Sequence, residues 1–330
     1  MMNARARARA KMGLALLLAG LGLSCQLSSG GSGKRREQSY EGPFAKLAVN
    51  SKHTCLLGRD GAIQCFGGDD SREPAMTPTP TGKFVDLASG RRYACALAED
   101  GSISCFGSCA GENCQPPSGS FTGLALHDES GGCAWDENHT QCWGWGDFLD
   151  FIAPSGEALA KPVQKIVFGA DWSLIHYADG TILPFRRGRV GMEGVWSDPL
   201  LRGFAERGEV VRDIAGAGAA ACVIDGDGRA QCVAYYENAT PPPVEHVLAI
   251  GFSSPVGAKP ACVLAGADAE ARVGKISCTE NMLGSRLTLR GPHVALGVGD
   301  DHICGLTEAG QVDCVGNDRF AAVTGRRRWP

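Results

Sequence analysis

Residues 84–107 read FVDLASGRRYACALAEDGSISCFG. Phe-Val-Asp-Leu-Ala alternates between apolar and polar positions and stops at Ser89-Gly90. Tyr93 to Ala98 alternates again and ends at Glu99-Asp100-Gly101, and Ser102 to Phe106 alternates after that turn. Alternation bounded by Gly and Asp-Gly is the pattern of half-buried strands joined by tight turns. Cys95 and Cys105 flank the Asp100-Gly101 turn almost symmetrically, so a hairpin places them within disulfide reach of each other.

The same spacing recurs along the chain. Counted from the turn glycine, cysteines fall six before and four after. Gly61 gives Cys55 and Cys65, Gly228 gives Cys222 and Cys232, and Gly310 gives Cys304 and Cys314. Cys133 and Cys142 form a copy one residue shorter. Cys262 and Cys278 form one with an insertion, in which Gly274 still lies four before Cys278. A further copy keeps the Asp179-Gly180 turn but has Leu174 and Pro184 where the cysteines would stand, and a pair should be lost together. The first-cysteine positions are 55, 95, 133, (174), 222, 262 and 304: seven repeats with a period of about 40.

The 330-residue chain is 44% hydrophobic, long enough for a sizeable core, and its 46 glycines recur in register with the turns. Fifteen cysteines in regular pairs point to an oxidising compartment. Arg5, Arg7, Arg9 and Lys11 precede a short apolar run from Met12 to Gly20, then Leu21-Gly22-Leu23-Ser24-Cys25. This is the pattern of a signal peptide over residues 1–24, too short to span a bilayer comfortably. Its end resembles a bacterial lipobox, with Gly22 where Leu is usual, which implies lipidation of Cys25. Seven pairs use the other fourteen cysteines and leave Cys25 alone. Gln26 after Cys25 implies, by the same resemblance, the outer membrane. Loss of residues 1–24 takes the formal charge from −4 to −8, which disfavours nucleic acid as a partner.

Residues 25–38 read as a flexible polar tether, and residues 39–330 as one domain. Its repeats lie near 44–82, 83–120, 121–162, 163–210, 211–246, 247–292 and 293–330. Each opens on a Leu or Ile followed by a usually small residue (Leu47-Ala48, Leu87-Ala88, Ile214-Ala215, Leu296-Gly297), as crowding around an axis requires. Pro-rich connections separate them, and only residues 196–210 carry a helical pattern. Seven three- or four-stranded units at this period predict an all-β fold, a seven-bladed β-propeller, because no single small sheet can bury both its faces. Since little chain follows Cys314, ring closure is expected to draw a strand from Tyr40 to Ala48.

Three copies, VNSKHTCLLGRDGAIQCFG (49–67), SGRRYACALAEDGSISCFG (89–107) and VGDDHICGLTEAGQVDCVG (298–316), carry a further likeness. They resemble the repeat family named for the regulator of chromosome condensation, in its cysteine-paired form from bacterial secreted and lipid-anchored proteins. The likeness covers about residues 44–320, is weak in repeats four and six, and lacks most of the family's Trp-Gly-x-Asn and Gly-Gln-Leu-Gly tail. It implies the seven-bladed propeller and little about function.

The cysteine pairs read as one disulfide per hairpin, each contributing on the order of 2–3 kcal/mol through loop closure. Cys109 and Cys114 read as a local staple of the loop after repeat two, with a four-thiol metal site shared with Cys95 and Cys105 as the alternative. His53 and His302 sit two before a first cysteine, in a slot held elsewhere by Tyr93, Trp172 and Ala220, which suggests strand-end hydrogen bonding rather than a metal ring. Asp225-Gly226-Asp227-Gly228 lacks the further acidic ligands of a calcium loop. Gly30 to Lys34 lacks the strand and Ser/Thr of a phosphate loop. Arg326-Arg327-Arg328-Trp329 is a basic tail. Trp135, Trp143 and Trp145 cluster in repeat three; one or two of them are expected to pack between blades, and an exposed one would mark a contact patch.

No motif of a serine hydrolase, zinc protease or sialidase propeller occurs, and nothing asks for a cofactor or metal. The expectation is a non-catalytic envelope lipoprotein at the bacterial outer membrane or cell surface, or else a secreted one. Its partner would be an unknown envelope or extracellular protein or glycan. Resemblance to secreted propellers that inhibit β-lactamases makes inhibition one such role. The alternative is an envelope hydrolase or lyase in the central cleft, using His53, His302, Asp300 and Asp301. Nucleotide exchange on a GTPase rests on the family name only.

Overall fold

A computed structural model describes residues 35–68, 76, 78–109, 111–186, 198–234, 244–252, 261–279, 289, 291–300 and 302–317. The first strand, β1, is Arg35–Tyr40. Blade one is β2 (Phe44–Asn50), β3 (His53–Gly58) and β4 (Ile63–Gly67). Blade two is β5 (Phe84–Ser89), β6 (Tyr93–Ala98) and β7 (Ile103–Gly107). Blade three is β8 (Gly123–Leu126), β9 (Gly131–Trp135) and β10 (Thr140–Gly144), followed by the one-turn helix α1 (Gly146–Phe151). Blade four is β11 (Val163–Phe168), β12 (Ser173–Tyr177) and β13 (Ile182–Phe185), followed by α2 (Pro199–Arg207). Blade five is β14 (Val211–Ala217), β15 (Ala220–Asp225) and β16 (Ala230–Ala234). Blade six is β17 (Val247–Phe252), β18 (Ala261–Gly266) and β19 (Gly274–Cys278). Blade seven is β20 (Ala295–Val298), β21 (His302–Leu306) and β22 (Val312–Asn317).

Every blade is antiparallel with the second strand in the middle, and the sheets number seven among the described residues. Repeats four and six, weakest in motif, are full three-stranded blades. The fold is the seven-bladed β-propeller that the repeats predict. The helix at Pro199–Arg207 falls within 196–210; Asp198 caps it, accepting from the Leu200 amide at 2.8 Å, and Gly208 at φ +62 ends it. No helix among the described residues is long and apolar enough to cross a membrane.

Ring closure corrects two expectations. The closing strand is β1, which pairs with β22 from Arg35↔Asn317 to Tyr40↔Val312. Phe44–Asn50 instead opens blade one, so of the segment 40–48 only Tyr40 belongs to the closing strand. The strand also begins inside 25–38, so residues 35–38 are not tether. RREQSY has no apolar alternation because its outer face stays exposed. What it gains is the hydrogen-bonding edge of β22 and the stacking of Tyr40 on Phe66, with ring centroids 4.6 Å apart.

The alternation of the middle strands also reads differently in place. β3, β6, β9, β12, β15 and β21 are buried almost throughout, on both faces rather than one. Successive side chains of β6 enter different cores. Ala94 and Ala96 join Cys55, Leu57 and Met76 between blades one and two, while Tyr93, Cys95 and Leu97 join Leu124, Ala134 and Trp143 between blades two and three. Seven such clusters occupy the seven blade-to-blade interfaces. The last holds Leu47, Leu56 and Phe66 against Cys304, Leu306 and Val312 and joins blade seven to blade one. The small inner-strand residues are needed where the strands converge. A Cβ on Gly297 would sit 2.4 Å from Val49 Cγ2 and 2.5 Å from Leu47 Cδ1 in the next blade.

Fourteen cysteines form seven disulfides: Cys55–Cys65, Cys95–Cys105, Cys109–Cys114, Cys133–Cys142, Cys222–Cys232, Cys262–Cys278 and Cys304–Cys314. Six join directly opposed residues of the middle and outer strands. In blade four Leu174 and Pro184 stand opposite each other at the same register. Cys25, the residue expected to carry lipid, lies outside the described residues, as do Gly30 to Lys34, Asp301 and the basic tail at 326–329.

Candidate functional site

In three repeats the slot two residues before the first cysteine, or its Leu174 counterpart, is a latch between blades. Tyr93 donates its hydroxyl to the carbonyl oxygens of His127 (2.8 Å) and Gly131 (2.7 Å) in blade three. Trp172 Nε1 donates to Gly218 O in blade five at 2.9 Å. His302 Nε2 and Thr54 Oγ1 of blade one lie 2.9 Å apart. Each ring fits because a glycine stands three residues earlier. A Cβ on Gly90 would meet the Tyr93 ring at 2.4 Å, on Gly169 the Trp172 ring at 1.9 Å, and on Gly299 the His302 ring at 2.3 Å. The pattern Gly-x-x-aromatic, visible in GRRY, GADW and GDDH, is the sequence signal for this latch.

His53 and His302 are therefore packed, 0% and 1% exposed. Burial, and then the neighbouring His302, hold the His53 imidazole down at about pKa 3. Burial likewise pushes the Tyr93 phenol up and the His127 imidazole down. The His53/His302 cluster does not open on the cleft, so the hydrolase alternative loses the two histidines it would use.

The inner strands enclose a central cavity of about 530 Å³. Two ion pairs bridge consecutive blades across its wall: Lys46 with Asp86, and Lys165 with Asp213 at 2.8 Å. All four residues follow a β-bulge at the same point of their inner strands. Asp86 and Asp213 also accept the amides of Leu87 and Ile214. These four channel charges thus serve the joints between blades. His176 lines it too, with Nε2 3.1 Å from Val211 O and its basicity lowered by burial.

The other sequence candidates resolve into structure. Cys109 bonds Cys114 and Cys95 bonds Cys105, so no four-thiol site exists. Asp225 Oδ1 accepts from the Asp227 and Arg229 amides, and Asp227 pairs with Arg229, which spends the carboxylates of the DGDG turn on the turn itself. No group of three or more metal-binding side chains occurs among the described residues.

The tryptophan cluster divides. Trp135 (8% exposed) and Trp143 (6%) are core, whereas Trp145 is 43% exposed. Trp143 Nε1 donates to Asn113 O at 3.0 Å, and Asn113 Nδ2 donates to Glu129 O at 3.1 Å, which seats the Cys109–Cys114 loop on blade three. Gly111 in that loop has φ +72, and a Cβ there would sit 3.6 Å from Trp145 Nε1. Trp145 is the N-cap residue of α1, where its side chain makes no capping bond. Its backbone is held at both ends: the amide donates to Ser130 O at 2.9 Å, and the carbonyl accepts from Phe148 and Leu149. Phe148 anchors α1 in the core at 0% exposed, and Leu149 is left 36% exposed beside Trp145. This rim, built of a stapled loop, a fixed tryptophan and one helical turn, is the candidate site.

The described residues form a disulfide-locked seven-bladed propeller with an aromatic rim patch at Trp145. Its chain trace matches the CRINKLY WD40 ectodomain of the Arabidopsis thaliana receptor kinase ACR4 (TM-score 0.60, 18% identity, 84% of this chain and 96% of that one). It matches the ectodomain of the Physcomitrella patens receptor kinase CR4 (TM-score 0.56, 20%, 81% and 71%). It also matches yeast RCC1 (Prp20) in its crystal with Kap60 (TM-score 0.53, 13%, 83% and 80%). No sequence-family description and no curated protein matches the chain. The fold is that of the RCC1-type propellers, as the repeat motif implies.

Proposed function

We propose that this chain is a non-catalytic, lipid-anchored protein of the bacterial envelope whose propeller is a rigid scaffold for binding a protein or glycan outside the cell. The observation that carries the binding role is the rim at Trp145. A half-exposed indole is held by a main chain hydrogen-bonded at both ends and flanked by a disulfide-stapled loop, so little order has to be imposed on binding. The signal-peptide pattern before Cys25 and the repeated cysteine pairs support the compartment. Yeast Prp20 is described with binding properties to Gsp1p and histones, and the use of a propeller as a binding platform is what is carried over from it. Cross-linking in intact cells, with mass spectrometry of the linked peptides, tests the proposal. A reproducible partner linked through one rim supports it. A clean absence of partners, together with turnover of an envelope substrate by the purified protein, would overturn it.

A further inference from the structure

We infer that the Trp145 rim is a docking surface for a lysine- or arginine-bearing segment of a protein partner, a reading that rests on the binding role just proposed. Two independent features coincide there. The first is apolar: Trp145 and Leu149 are two of the four large hydrophobic side chains exposed among the described residues, and they lie four positions apart on one helical turn. Neither belongs to an interblade core, and tryptophan is a poor helix N-cap, so local stability does not explain the residue.

The second is charge. Glu112 of the stapled loop and Asp147 and Asp150 of α1 are all exposed. Among the described residues none of the three has an ion-pair partner, whereas Asp86 and Asp213 of the channel wall are paired with lysines and Glu129 is paired with Arg91. An exposed indole on the same rim as unpaired carboxylates of the stapled loop and α1 fits a cation. Guanidinium or ammonium stacks over the ring, the carboxylates take its N–H groups, and the aliphatic stem of the side chain lies on Leu149. The small size of the patch makes the contact transient unless other loops extend it.

The test uses the purified full chain with an alternating arginine–leucine octapeptide and its glutamate–leucine counterpart, by titration calorimetry at low and raised salt. Binding should be confined to the cationic peptide and weaken with salt. Trp145→Ala should weaken it about tenfold. Asp147→Lys/Asp150→Lys should abolish it. Trp145→Ala leaves the net charge unchanged and removes a half-exposed side chain, so a preserved thermal midpoint shows that the loss is local. Equal binding of both peptides, or unchanged binding by Trp145→Ala, overturns the assignment. So does loss of binding to an envelope glycan, rather than to the peptide, in Trp145→Ala. A partner captured in cells but linked through other loops removes this site and leaves the scaffold role standing. Failure of both experiments removes both.

Discussion

His302 of blade seven and Thr54 of blade one share a buried 2.9 Å hydrogen bond across the seam where the ring closes. His53 adjoins it, and His293 of the same blade lies 3.5 Å from Asp313, which in turn accepts from Ser39 of the closing strand. Three of the chain's seven histidines are thus buried on the blades that flank this seam, His302 in the seam itself and His293 bridged to Gly274 of blade six.

That placement makes the ring acid-sensitive. His53 has a folded pKa of about 3 against an ordinary 6.5, so between those values the unfolded chain binds the extra proton. Stability is full above pH 6.5 and falls as the pH drops toward 3, by up to about 1.4 kcal/mol per pH unit from this residue. Urea unfolding from pH 7 to pH 4 should show the slope, and His53→Gln should flatten it. Parallel curves for the two proteins would show that His53 is not its source.

Blade four offers a vacant staple position. Leu174 and Pro184 oppose each other where six other blades carry a disulfide. The double variant Leu174→Cys/Pro184→Cys should oxidise spontaneously, as non-reducing peptide mapping would reveal. Blocking that bond alone should cost about 3 kcal/mol of stability by loop closure.

Gly169→Ala should be severely destabilising. The new Cβ would stand 1.9 Å from Trp172 Cε2 and 2.0 Å from its Nε1, the atom bonded to Gly218. Displacing the indole strands that donor and opens the core between blades four and five, a loss of about 3 kcal/mol or more. Thermal unfolding measures it; a midpoint within a degree or two of wild type would show that the indole has room to move.

Removal of residues 1–40 should leave β22 with an open edge. Strand edges of this kind pair with other chains. Light scattering should therefore show association or aggregation that the chain retaining Arg35–Tyr40 lacks. A stable monomer without β1 would show that the ring holds by its cores alone.

The repeat, its hairpins and its cysteine partners were legible because each depends on residues close in sequence: a turn glycine fixes the register, and the register fixes the opposing cysteines. The closing strand was not. Its pairing edge comes from β22, 272 residues or more away, and nothing in RREQSY announces it. The middle strands look half-buried in sequence but are not, because alternation of Ala or Cys with Leu records two different neighbours, not core and water. The rim was half legible. The three tryptophans stood out, but only packing separates Trp145 from Trp143, whose Nε1 is taken by Asn113 O. The short GDFLDF helix, with one buried anchor in Phe148, has too little periodicity to be read at all.

The two ends of the propeller meet in a way that also determines how it would bear a load. A pull, away from the blade, on the residues before Arg35 enters the fold through β1 and opens its pairs with β22 one after another, from Arg35↔Asn317 toward Tyr40↔Val312. Behind that zipper stands a covalent stop, since Cys314 in β22 is bonded to Cys304 in β21. Tension could strip away the closing strand without tearing blade seven apart, and slack would let it re-zip on an edge still held in register.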